Sequence, residues 1–288
     1  MAGANGGSGA GFGGHLAGTG RSMLADARHA LADPSLTDAE RVHELRKAFK
    51  RWRAFLRLVA GPIGGPAEEM RLKARALMRS LSGARDAQGA LDAIDDLAKH
   101  GSSLSPRTVA TIRSRLTASR DAAESASLTP DMRRSIDAYI DEATQALEAW
   151  PLADVGFAAI ADALTVTFRR ARSLAPDDWA DVDPSHLHEL RRRVVEHRHQ
   201  MELIEPLWPR VTKAWAEEAQ RLRNRLGACQ DLSVLASFVA PHQPLAPWRS
   251  RLTPAIAARL AGRLFAEKPK AFRKRIAALW TARKHRNG

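Results

Sequence analysis

The sequence predicts an all-α protein, and three observations carry that prediction. Ala and Leu dominate its apolar residues, and both favour helix. Aromatic residues make up only 6% of the 288 residues, whereas a β-rich core draws on aromatic and β-branched side chains. No segment shows sustained period-2 alternation, while apolar residues recur at helical spacing between clear caps and breakers.

Taken in order, the Gly-rich stretch 1–20 reads as a flexible tail, lacking the basic and apolar regions of a secretory signal. Arg21–Ala32 is a short helix that stops before Pro34. Thr37 and Glu40 form a Thr-x-x-Glu capping box ahead of a helix to about Ala60, which the Gly61–Pro66 cluster ends. Pro66 opens a helix to about Leu81, and Asp86 caps another to about His100. Helices follow over Pro106–Leu128, Asp131–Trp150 and Asp154–Ala175. Asp183 with Pro184 is a cap followed by a first-turn proline, opening a helix to about Leu207. The last helices are Val211–Leu226, Asp231–Ala240, Pro247–Glu267 and Lys270–Lys284, with Asp231 read as an N-cap like Asp86.

The chain repeats itself. Val42-His43-Glu44-Leu45-Arg46-Lys47 recurs as Leu187-His188-Glu189-Leu190-Arg191-Arg192, an offset of 145 residues. The same offset aligns Arg53 with Arg198, Leu58 with Leu203, and Leu81, Arg85 and Asp86 with Leu226, Gln230 and Asp231. Duplication at about half the chain length predicts two related antiparallel helical bundles, 21–150 and 154–284.

The charge is distributed with purpose. Lys and Arg number 45 against 32 Asp and Glu, a formal charge of +13, which attracts polyanions such as nucleic acid, anionic membrane or polyphosphate. In the first copy Val42, Leu45, Phe49, Trp52, Leu56 and Val59 step by threes and fours into one apolar seam. At about 100° per residue, Arg46, Lys47, Lys50, Arg53 and Arg57 all fall within roughly 80° of His43. They form a second, cationic stripe with no interspersed acid. Like charges at i, i+4 disfavour a helix, so a bound anion is the natural counterpart. The second copy is less complete. Its seam is Leu187, Leu190, Val194, Met201 and Ile204, with His197 inserted; its stripe is His188, Arg191, Arg192, Arg198 and His199. Val195 and Glu202 stand where the first copy has Lys50 and Arg57, which predicts weaker anion binding. Arg169 and Arg172, three apart on one face, are further candidates, as are Arg75, Arg79, Arg85, Arg273 and Lys274.

These residues resemble the CHAD domain, an α-helical family named for its histidines. The run from His43 to Arg53 resembles its first signature helix, and His188 to Trp208 its second. Leu81 to Asp86 resembles a Leu-Gly-x-x-Arg-Asp element, with Ser82 in place of Gly, and Leu226-Gly227 to Asp231 its second occurrence. Phe168 to Arg172 resembles a Tyr-Arg-Arg-Gly-Arg element, with Phe168 for Tyr and Ala171 for Gly, and Arg263 to Trp280 the C-terminal element. The resemblance implies two four-helix bundles in pseudo-twofold symmetry around a central basic channel that binds inorganic polyphosphate without catalysis. Carried over by position, the ligands are His43, Arg46, Lys50 and Arg53 with His188, Arg191 and Arg198; Val195 removes one basic contact. A triphosphate-tunnel (CYTH) domain, often fused to the family, does not fit in this length, so a stand-alone domain is expected.

Three rival readings differ in their chemistry. A nucleic-acid binder shares the charge, but aromatics interleaved with the cations are lacking. A metal-dependent phosphohydrolase is suggested by His186, His188, His197 and His199, although their spacing spreads them over different helix faces and completes no metal triad. A scaffold on polyphosphate granules extends the polyphosphate reading. No cofactor, metal or catalytic residue is assigned. With Cys229 the sole cysteine and no apolar run of membrane-spanning length, a reducing, cytoplasmic setting is expected.

Overall fold

A computed structural model of the chain describes residues 11–81, 83–100, 104–177, 179, 182–261, 271 and 274. Among them are ten α-helices, three single-turn 3-10 helices and no strand. The helices are α1 (Phe12–Ala32), α2 (Asp38–Ile63), α3 (Gly65–Ser80), α4 (Gly83–Lys99), α5 (Pro106–Ser127), α6 (Pro130–Ala149), α7 (Phe157–Ser173), α8 (Pro184–Leu203), α9 (Pro209–Phe238) and α10 (Arg249–Ala261).

The chain folds into two compact units. The first comprises Met1–Met78 and Asp131–Thr165; the second comprises Arg79–Pro130 and Val166–Gly288. This division differs from the sequence halves 21–150 and 154–284, because α4 and α5 come from the first half yet pack in the second unit, with α4 against both α5 and α9. Of the expected helix Lys270–Lys284, Ala271 and Lys274 are described, both helical; the rest, Arg273 included, lies outside the described residues.

In the first unit the capping box forms as expected. The Thr37 hydroxyl accepts from the Glu40 N–H, and the Glu40 carboxylate accepts from the Thr37 N–H at 2.9 Å. Buried Arg41 secures this end of α2, donating to the Asp38 carboxylate at 2.7 Å and the Asp33 carbonyl at 2.5 Å. The helix runs three residues past Ala60, because Gly61 and Pro62 join its last turn; Gly64, at φ 80°, stops it. The α2 seam is buried throughout, with the Trp52 and Phe55 rings stacked 5.1 Å apart. Trp52 Nε1 donates to the Tyr139 hydroxyl at 2.8 Å, which donates to the Met70 carbonyl at 3.0 Å. This relay joins α2, α6 and α3 and satisfies every polar atom it buries.

From residue 12 on, the Gly-rich N-terminus departs from its reading as a tail, residues 1–10 lying outside the described residues. Helix α1 begins at Phe12, and two of its glycines, Gly13 and Gly20, serve close packing. A Cβ on Gly13 would lie 2.0 Å from the Leu152 carbonyl oxygen, and one on Gly20 would lie 3.0 Å from the Leu147 methyls and 3.1 Å from Phe55. Composition suggests flexibility there; the backbone approach explains why no side chain fits.

In the second unit one core joins α4, α5, α9 and α10 around Ile94, Leu97, Ile112, Leu116, Leu232 and Leu235. A smaller core joins Leu190 and Val194 of α8 to Leu222 and Leu226 of α9. Two expected helices, Val211–Leu226 and Asp231–Ala240, are one continuous α9. Neither Asp86 nor Asp231 is an N-cap. Asp86 sits in the first turn of α4, where its charge complements the helix dipole, and Asp231 lies mid-helix. Asp231 instead meets α4 at Gly89, where a Cβ would come 3.1 Å from its Oδ1.

Candidate cationic site

Helix α2 presents its cations beside the buried seam. His43, Lys47 and Lys50 are exposed, whereas Arg46, Arg53 and Arg57 are half-buried. The stripe does contain an acid contact: Lys47 Nζ lies 3.1 Å from Glu44 Oε2, one turn back. Arg57 adds its field to Glu68. The bidentate grip of Arg71 is the main cause holding that carboxyl below the usual range, and Arg57 reinforces it.

Helix α8 is built differently. Asp183 caps it, accepting from the Ser185 N–H at 2.7 Å, as its sequence predicts. Its stripe then divides into two groups. At the N-terminal end, the His188 ring hydrogen-bonds Gln230 of α9, with Nδ1 3.0 Å from Oε1. One turn on, the Arg191 guanidinium lies against Gly227 of α9, 3.5 Å from the place a Cβ would occupy. A glycine within a helix costs about 1 kcal/mol against alanine; here it seats an arginine. At the C-terminal end, Arg198 donates to Glu202 at 2.7 Å and to Gln220 of α9 at 2.5 Å, and His199 contacts Glu202 at 2.8 Å. Burial would raise the Glu202 carboxyl, but the His199 hydrogen bond and the charges of His199 and Arg198 outweigh it and leave it below the usual range. Arg192 points away to an ion pair with Glu189 at 2.8 Å. Val195 is half-buried.

The histidines have separate surroundings. His186 Nε2 contacts the Leu174 carbonyl at 2.8 Å. His197 is buried between Phe168 and Trp215, with ring centroids at 5.9 and 5.4 Å. Burial pushes its pKa down to about 3, a hydrogen bond with Gln200 opposing the shift, so the ring is neutral at pH 7. His197 stands at the seam position that Trp52 fills in α2, and a cavity of about 50 Å³ adjoins it. No group of three or more His, Cys, Asp or Glu that could hold a metal occurs among the described residues.

Of the remaining candidates, Arg169 and Arg172 are exposed near the end of α7, as are Arg75 and Arg79 on α3 and Lys274. The side chain of Arg85 lies outside the described residues. Sequence reasoning missed Gln220 and Gln230 as partners of the α8 stripe. The repeat does align Gln230 with Arg85, a signal that placed it beside a candidate cation without showing its contact.

The comparisons with known proteins agree with this architecture. The family model described as the CHAD domain matches residues 17–240. The crystal structure of the CHAD domain from the plant Ricinus communis is similar at a TM-score of 0.65 and 19% identity, covering 95% of this chain and 92% of that one. At that identity the likeness concerns the fold. No curated protein matches.

Proposed function

The chain belongs to the CHAD family, and from that premise we propose that it binds inorganic polyphosphate without breaking it. The observation that carries this reading is the α2 stripe. Arg46, Lys50, Arg53 and Arg57 follow one another along about 16 Å of helix axis, a one-sided cationic track beside a buried seam. Polyphosphate carries a negative charge on each residue of a flexible chain, so successive phosphates can meet successive cations. Arginine contributes forked hydrogen bonds, and Lys and protonated His contribute charge. Release of condensed counterions drives such binding, which therefore weakens steeply with salt. On α8, His188, Arg191, Arg198 and His199 form a second set of contacts, and Arg169 and Arg172 on α7 are further candidates.

The non-catalytic part of the proposal is supported by how nearby reactive groups are used. Glu44 and Glu202 are committed to ion pairs with the stripes' own cations. Burial pushes the Cys229 thiol up to about 11, which keeps it protonated. Against a single-strand nucleic-acid binder, Trp52 is 1% exposed and offers the α2 stripe no stacking platform. Membrane spanning finds no support, since no helix among the described residues is long and apolar enough to cross a bilayer. We place the protein in the cytoplasm, where polyphosphate binding would carry it to polyphosphate granules and let it act there as a scaffold.

The test is a titration with polyphosphate of defined length against wild type and the double variant Arg46→Glu/Arg191→Glu. Saturable binding that the double variant loses is the expected result. Undiminished binding by the variant would overturn the site, and displacement of polyphosphate by nucleic acid at equal charge concentration would overturn the ligand.

A further inference from the structure

Glu202 lies at the C-terminal end of the α8 stripe. At about 100° per residue it projects between Arg198 and His199, at the position where the repeat places Arg57 in α2. Its Oε1 accepts from Arg198 Nη2 at 2.7 Å, and its Oε2 lies 2.8 Å from His199 Nδ1. The other terminal nitrogen of Arg198 is held by Gln220 of α9 at 2.5 Å. The Glu202 side chain is 35% exposed, against 24% for Arg198 and 12% for His199. An anion that reaches Arg198 or His199 therefore competes with a carboxylate already bound to both.

We propose that Glu202 is a specificity-determining residue: a resident carboxylate that competes with phosphate for Arg198 and His199, so that the α8 stripe accepts only polyanions dense enough in charge to displace it. The inference rests on the polyphosphate reading and deepens it. A sparsely charged anion exchanges one carboxylate contact for another of similar strength and gains little. Polyphosphate brings several closely spaced charges, which outweigh the single Glu202 contact. Glu202, already one-third exposed, can swing into water when displaced. Helix α2 has a cation, Arg57, at the equivalent place. The alternative is that Glu202 merely braces its own helix through i, i+3 and i, i+4 pairing.

The experiment uses the full chain as wild type, Glu202→Gln and Glu202→Gln/Arg198→Gln. The probes are polyphosphate of defined length and a single-stranded oligonucleotide of equal total charge. Glutamine keeps an acceptor for Arg198 and removes only the charge. Glu202→Gln should tighten polyphosphate binding about three- to fivefold, the size of a half-exposed ion pair, and steepen the log–log salt dependence by about one unit. It should tighten oligonucleotide binding more, narrowing the discrimination, and the added Arg198→Gln should abolish both gains. If wild type binds polyphosphate and Glu202→Gln binds equally or more weakly, Glu202 is only a brace and the inference fails alone. If neither protein binds polyphosphate, the proposed function itself fails.

Discussion

His197 ties the stability of the fold to pH. Its ring is 3% exposed, packed between Phe168 and Trp215, and its pKa falls from 6.5 to about 3 because burial penalises the charged form. The folded pKa is depressed, so the unfolded chain binds the proton more tightly. The contribution is thus complete above pH 6.5 and is lost as the pH falls toward 3. Each pH unit in that window costs about 1.4 kcal/mol, so acidification from pH 7.5 to 5 should remove about 2 kcal/mol. That is a sizeable share of a typical stability of roughly 5–15 kcal/mol. Urea unfolding of wild type and His197→Phe at both pH values measures it. Phenylalanine keeps the aromatic packing and deletes the titration; the other titrating groups are common to both proteins and cancel. The variant should show a pH difference smaller by about 2 kcal/mol. Equal pH differences in the two proteins would refute the buried neutral imidazole.

Other expectations follow from contacts already described. Arg46→Glu should weaken polyphosphate binding more than Arg191→Glu, because Val195 and Glu202 of α8 stand where α2 has the cations Lys50 and Arg57; paired titrations give the ratio. Tyr139→Phe strands the buried Trp52 Nε1–H and should cost about 1–3 kcal/mol in denaturant unfolding. Gly13→Ala drives a methyl into the Leu152 carbonyl and should lower stability by about 1–3 kcal/mol, read as a drop in Tm. Thr37→Ala removes the α2 cap and should cost about 1 kcal/mol with polyphosphate affinity unchanged.

Helix positions were legible where local signals govern them. The capping box at Thr37, the Asp183–Pro184 start and the α2 seam all emerge in the structure, because caps and 3.6-residue periodicity act within a few residues of chain. The same local logic failed at glycines and aspartates. Gly13 and Gly20 resemble linker residues, and Gly227 with Asp231 resembles a turn, yet all four lie within helices. What fixes them is a neighbour far away in sequence: the Leu152 carbonyl, the Leu147 side chain, Arg191 and Gly89. The pairing of charges divides similarly. The one-sided cationic stripe on α2 can be read from spacing alone, because side chains on one helix keep a fixed angular order.

By itself, then, the sequence determined the all-α class, the seams, the two cationic stripes and the inequality between them. Only the tertiary structure decided that α4 packs against α9 as well as α5, that α4 and α5 belong to the second unit, and that α9 is continuous. It also decided that His188 and Arg198 are held from α9, by Gln230 and Gln220. The physical reason is range. Caps, periodicity and i, i+4 charges are set by chain neighbours, whereas a glycine's missing Cβ or a glutamine's hydrogen bond acquires its meaning from the helix that packs against it.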